Sequence, residues 1–206
     1  MAARWRLAAA LLTAGFIVAG SDGDVRTSGQ VVDTPAQAAA RRAMVDEQLA
    51  ARDITDPRVL AAMGSVLRQA FVPADQRDAA YSDRALSIDR GQTISQPYIV
   101  ALMTQLLALR GDERVLEVGT GSGYQAAVLA QLAREVYSVE IDPVLAERAR
   151  ETLIRAGAAN AHVRAGDGFY GWPEAAPFDA IIITAAAPRV PDALRDQLRE
   201  IGRAHV

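Results

Sequence analysis

The 206-residue sequence is half apolar, enough for one sizeable core and too little for two large domains. Its 22 basic residues are scattered among 25 acidic ones for a net charge of -3, which argues against a phosphate-backbone binder and so against a nucleic-acid partner. The lack of cysteine removes disulfides, thiolate ligands and a cysteine nucleophile, and His162 and His205 alone are too few for a histidine metal site.

In chain order, Arg4 and Arg6 precede an apolar run from Leu7 to Ala19, and Val18-Ala19-Gly20 sets small residues where a signal peptidase reads. Residues 1–20 are therefore expected to be a signal peptide, too short to span a bilayer as an ordinary helix. Used as such, it sends the protein to the periplasm or outside the cell; otherwise the protein stays cytoplasmic. Residues 21–36 mix Gly, Ser, Thr and Asp without a period and read as a linker. The folded domain is expected over 37–199. It opens with a helical lead-in from Gln37 to Gly64, in which Asp56-Pro57 forms a cap and first-turn pair and Gly64 a stop. From Phe71 to Asp89 no clean period appears, and Pro97 then starts an apolar helix that ends before Gly111.

Beyond Gly111, short apolar runs alternate with helical patterns. Strands are expected at Arg114 to Val118, Val136 to Ile141, Ala161 to Ala165 and Phe178 to Thr184. Helices are expected from Tyr124 to Ala133 and after Asp142-Pro143, where Leu145, Ala149 and Leu153 recur every four residues. This is the pattern of an α/β fold with a doubly wound, mostly parallel sheet, which binds ligands at the carboxyl ends of its strands.

The first of these strands runs into Glu117-Val118-Gly119-Thr120-Gly121-Ser122-Gly123, where alternate glycines allow a sharp turn and close backbone approach to a ligand at a helix N-terminus. Gly121-x-Gly123-x-x-Ala126 also fits a dinucleotide fingerprint. The acidic Glu117 favours a ligand whose amino-acid part carries an ammonium group. Glu140 ends the next strand about twenty residues on, where a carboxylate accepts from both ribose hydroxyls; the bland alternative is a solvated strand-end charge. Asp167, between Gly166 and Gly168, could accept an adenine amino group or simply shape a turn. His162 reads as a surface or packing residue.

Gly91-Gln92-Thr93-Ile94-Ser95-Gln96-Pro97-Tyr98, followed by Val115 to Ala127, Gly166-Asp167-Gly168, Gly171-Trp172 and Ala176 to Ala187, resembles the protein-L-isoaspartate (D-aspartate) O-methyltransferases from about Met44 to Leu198. The Thr93 to Pro97 run is the most specific part. The resemblance implies a Rossmann-like class I methyltransferase that uses S-adenosyl-L-methionine and acts, as a monomer, on isoaspartyl-containing peptides and proteins. It implies Ser95 as the active-site serine, Glu117, Gly119, Thr120, Gly121, Gly123, Glu140, Asp167 and Gly168 as cofactor contacts, and Thr93, Ile94, Gln96 and Thr184 as substrate contacts. Ser95 could equally cap the helix that starts at Pro97. Leu67 and Ser87 stand where the family usually has proline, and Asp53 where it has glycine. Amino-group methylases of nucleic acids carry an Asn- or Asp-Pro-Pro-aromatic run where this chain has Thr184-Ala185-Ala186-Ala187-Pro188. Alternatives are another small-molecule or protein methyltransferase on the same scaffold, or an inactive cofactor-binding remnant.

The family continues past Leu198 with a glycine pair and further strands. Glu200 to Val206 back-translates to DNA that resembles a sequencing adapter, so residues 200–206 are expected to be a non-native tail. A strand at Phe178 to Thr184 would then present a bare apolar edge, with aggregation and weak cofactor binding as the consequences.

Overall fold

A computed structural model of the chain describes residues 32–185 and 189–205. The signal assigned to 1–20, linker residues 21–31 and the run Ala186-Ala187-Pro188 lie outside them. The lead-in begins inside the stretch expected as linker: α1 spans Pro35–Ala43 because Thr34 and Gln37 form a reciprocal capping box and Pro35 fits the first turn. It continues as a π-helical turn, Met44–Ala50, that buries Met44 and Leu49. Asp56 caps α2 (Pro57–Ser65) by accepting from the Arg58 N–H. Gly64, expected as a stop, lies within this helix. Arg41 ties the two helices together, donating to the Gly64 carbonyl at 2.8 Å while pairing with Asp33.

A two-stranded hairpin follows, β1 (Leu86–Ser87) against β2 (Thr93–Ile94), and leads into α3 (Pro97–Leu106). The main sheet comprises β3 (Arg114–Val118), β4 (Glu135–Glu140), β5 (Ala161–Ala165), β6 (Phe178–Ile183) and β7 (Leu198–His205). Its order is β5-β4-β3-β6-β7, with every pairing parallel. Interposed are α4 (Tyr124–Ala130), α5 (Pro143–Arg155) and the short α6 (Asp192–Arg195).

Strand side chains alternate between faces, and here both faces are covered. Val115, Val136, Ala180 and Ile182 join a large core with the lead-in, α3, α4 and α5. Leu116, Val118, Val139, Ile181 and Ile183 join a smaller one with Phe178 and Leu194. That double burial is why Val115 and Leu116 on β3 and Ala180 to Ile183 on β6 are apolar on both faces.

The bare edge expected on β6 is absent: β7 pairs with it, Phe178 opposite Leu198 and Ile182 opposite His205, with an irregularity between. No strand is expected there from the sequence because residues 200–206 read as a non-native tail; in the structure Arg199 pairs with Asp179 on β6 at 2.7 Å.

From β3 the chain steps outward through β4 and β5, then returns to the other side of β3 as β6. The crevice of such a sheet opens at this reversal. Gly119 and Thr184 immediately follow β3 and β6 and are joined there, the Thr184 hydroxyl donating to the Gly119 carbonyl at 2.7 Å.

Candidate active site

The crevice holds a cavity of about 450 Å³, lined among others by Thr93, Gly119, Gly121, Glu140, Asp167 and Gly168. That is within the range of small-molecule cofactor sites. Its walls require glycine at two points. A Cβ on Gly119, whose φ is +102°, would fall 2.9 Å from the Ala185 Cβ and 3.0 Å from its backbone nitrogen. One on Gly168 would fall 2.4 Å from a Val118 methyl. Gly123 serves a different purpose: its left-handed backbone starts α4, and an added Cβ would meet Ala149 and Leu153 of α5, so it packs helices and lines no part of the cavity. Its expected role as a cofactor contact draws no support from this packing.

Glu140 closes β4 with both oxygens engaged, Oε2 accepting from the Gly121 N–H at 2.8 Å and Oε1 from the Asp142 N–H at 3.0 Å. Each oxygen retains a lone pair, so the carboxylate can still accept from hydroxyls of a ligand. Asp167 accepts from the Phe169 N–H at 2.9 Å with Oδ1.

Glu117 is fully buried on β3 and is not itself a cavity wall. One oxygen accepts from the Ser138 hydroxyl at 2.6 Å; the other has no partner among the described residues. Burial pushes its carboxyl up to about 8, against the pull of the Ser138 hydrogen bond and with help from nearby Glu140. Thr120, expected to touch the cofactor, turns its hydroxyl to the Ser138 hydroxyl at 2.5 Å instead. The result is a buried chain from Thr120 through Ser138 to Glu117. An acceptor left open beneath a glycine loop suits a ligand bearing an ammonium group, and the glycine-only walls suit one that packs against backbone. These residues therefore fit S-adenosylmethionine.

A second, smaller cavity adjoins the first through Thr93, Gly119, Gly121 and Thr184, and Ser95 and Ile94 line it. The capping residue of α3 is Gln96, and no side chain caps it, so the alternative role of Ser95 as a cap is not adopted. The Ser95 hydroxyl makes no hydrogen bond among the described residues. Gln96, expected as a substrate contact, instead donates its amide to Asp83 at 2.7 Å and lines neither cavity.

The hairpin loop that carries this segment is strapped to α5. Arg90 pairs with Asp142 at 2.8 Å, and Asp89 with Arg148. Arg90 has φ +64°, uncommon for a residue with a side chain. Sequence reasoning missed Ile141 and Phe169, which line the larger cavity while 74% and 54% exposed. An apolar residue directly after the strand-ending Glu140, where solvent begins, was the available signal for Ile141.

Comparison with known proteins bears on the same residues. The family model for protein-L-isoaspartate(D-aspartate) O-methyltransferase matches residues 39–206. A protein-L-isoaspartate O-methyltransferase of Opitutus terrae is 61% identical over 79% of this chain and 70% of its own length. Another from Anaeromyxobacter sp. is 60% identical over 79% of this chain and 67% of its own. Among solved structures, a protein-L-isoaspartate O-methyltransferase superposes with a TM-score of 0.73 at 31% identity, over 80% of this chain and 54% of that one. A beta-aspartate methyltransferase structure from Plasmodium falciparum, in complex with S-adenosyl-L-homocysteine, gives 0.69 at 25% identity, over 80% of this chain and 82% of that one. The family match covers the glycine loop, the serine hairpin and the whole sheet, and the chain belongs to the protein-L-isoaspartate(D-aspartate) O-methyltransferase family.

Proposed function

We propose that this chain transfers a methyl group from S-adenosyl-L-methionine to the free α-carboxylate of isoaspartyl residues in damaged proteins. The observation that carries the reading is the junction of the two cavities. The unpartnered Ser95 hydroxyl lines one, the glycine loop borders the other with the unpaired Glu117 oxygen buried on the strand before it, and Thr93, Gly119, Gly121 and Thr184 line both.

When bound, the cofactor supplies an electrophilic methyl on a positively charged sulfur. The substrate carboxylate is ionised at neutral pH, so no general base is required. Its oxygen would accept that methyl with the neutral thioether as leaving group, and two opposite charges would be neutralised. The protein must hold the atoms in line and keep water away. In this reading Ser95 donates a hydrogen bond that orients the carboxylate, Thr93, Ile94 and Thr184 shape its surroundings, Glu140 accepts from the ribose, Asp167 from the adenine, and Glu117 takes the ammonium group. Gly119, Gly121 and Gly168 let the backbone approach.

Labelled cofactor with a matched pair of aspartyl and isoaspartyl peptides tests this directly. Label should enter the isoaspartyl peptide alone; equal labelling of both, or of neither, overturns the reading. Export through residues 1–20 and a monomeric state belong to the same proposal, with cell fractionation and sedimentation as their measurements. Among the described residues no helix is long and apolar enough to cross a membrane.

A further inference from the structure

Arg68, on the helical turn Arg68–Phe71, is fully buried. Its Nε donates to the Ala80 carbonyl at 2.7 Å and one terminal nitrogen, Nη2, to the Ser95 carbonyl at 2.8 Å. The guanidinium carbon lies 4.7 Å from the ring centre of Tyr124, the first residue of α4. The other terminal nitrogen, Nη1, has no partner, and no carboxylate pairs with the group among the described residues. Burial lowers its pKa, partly offset by Tyr124, yet a guanidinium stays protonated at neutral pH.

A buried cation without a countercharge is costly, and an apolar side chain of similar size would satisfy packing more cheaply. Its placement suggests what the cost serves. Ser95 and Tyr124 both line the smaller cavity, and no charged side chain lines it. The guanidinium therefore sits behind the cavity wall, bonded to the backbone of Ser95, which lines it.

We propose that Arg68 is a positioning and specificity residue: it fixes the Ser95 backbone against α4 and supplies the positive charge that favours a carboxylate over a neutral group at Ser95. This rests on the isoaspartyl reading above. In a low-dielectric interior such a charge acts through one peptide unit with little screening. The incoming anion supplies the missing countercharge, and the preference is for charge, independent of which neighbouring residues flank the isoaspartate.

The wild-type chain is tested first, by the affinity of an isoaspartyl peptide against its α-carboxamide counterpart in the presence of S-adenosylhomocysteine. The carboxylate should bind roughly tenfold more tightly. Arg68→Met should raise KM for the isoaspartyl peptide by about the same factor and erase the preference, while S-adenosylhomocysteine affinity stays unchanged. Arg68→Lys, which keeps the charge but cannot span both carbonyls with a rigid fork, should retain the preference and lose kcat. Equal wild-type affinity for the two peptides overturns the proposal even if neither variant folds, as does a folded Arg68→Met with unaltered KM. Absence of any wild-type methylation of isoaspartyl peptide defeats the isoaspartyl reading and this inference together; turnover without a carboxylate preference defeats only this inference.

Discussion

The two halves of the site are built by different means. On the proposed cofactor side, Gly119, Gly121, Glu140 and Asp167 sit at successive strand ends, and at Gly119 and Gly168 backbone forms the wall. On the peptide side, Ser95 hangs from a hairpin held in place by contacts distant in sequence, from Arg68 behind it and from Asp142 and Arg148 across the loop. The cofactor half is rigid because its parts are integral to the sheet. The peptide half depends on side chains that hold a segment lacking sheet partners of its own beyond β1. Damage to the two halves should separate accordingly.

The largest effect is expected at Ser95. Ser95→Ala should lower turnover on an isoaspartyl peptide by roughly a hundredfold, the scale of a lost alignment contact. Calorimetry with S-adenosylhomocysteine should show affinity unaltered. A matching loss of cofactor affinity would mean the two halves are one unit and dissolve the comparison.

Gly119→Ala should do the reverse. The new Cβ meets both the side chain and the backbone of Ala185, and the residue keeps a φ of +102°. Strain of about 1–3 kcal/mol is expected, read as a loss of S-adenosylhomocysteine affinity of tenfold or more. Gly123→Ala is the control, since its added methyl meets α5. It should lower the melting temperature with little change in affinity for the folded protein.

Glu117 sharpens the cofactor half further. A carboxyl whose folded pKa is raised from 4.5 to about 8 keeps its proton in the folded state while the unfolded chain loses it. The cofactor-free protein should therefore be most stable, in respect of this group, below pH about 4.5, lose stability as pH rises towards about 8, and level off above. Urea unfolding across that range checks the slope, which Glu117→Gln should flatten. Below about pH 8, taking up the cofactor's ammonium should release a proton, so binding heats should vary with the ionisation enthalpy of the buffer in the wild type and not in Glu117→Gln.

The same division explains what could be read from the sequence. The glycine loop, Glu140 and Asp167 were legible because each sits at a strand end that local apolar patterning marks. Side-chain direction was not. Thr120 lines the smaller cavity yet turns its hydroxyl to Ser138, Gln96 adjoins Ser95 yet reaches Asp83, and Gly123 closes the loop yet packs on α5. Adjacent residues in a turn point to different sides, and spacing alone does not say which. Arg68 was invisible for another reason: its partners lie at Ala80 and Ser95, and only tertiary folding brings them together. The lead-in helix was recognised but begun late, since the Thr34 and Gln37 capping box lay inside a polar stretch read as linker.

The smallest effect is expected at the strap over the peptide half. Arg90 carries two opposing contributions: its left-handed backbone costs on the order of 1 kcal/mol relative to glycine, while its hydrogen bond to Asp142 holds that carboxyl below its usual pKa and ties the hairpin to α5. Arg90→Gly removes both, so the melting temperature should hardly move. The strap should nevertheless loosen, and with it the hairpin that brings Thr93, Ile94 and Ser95 to the smaller cavity. KM for an isoaspartyl peptide should then rise about two- to fivefold, as expected for losing a single exposed ion pair, with S-adenosylhomocysteine affinity unaltered. Salt gives an independent check. Raising ionic strength should raise that KM in the wild type by weakening the pairs at Arg90 and Arg148, and should do so less in Arg90→Gly, where only the second remains. Identical salt responses would show that the charges decorate the loop without holding it, and the peptide half would then owe its position to Arg68, to β1 and to the Gln96–Asp83 bond.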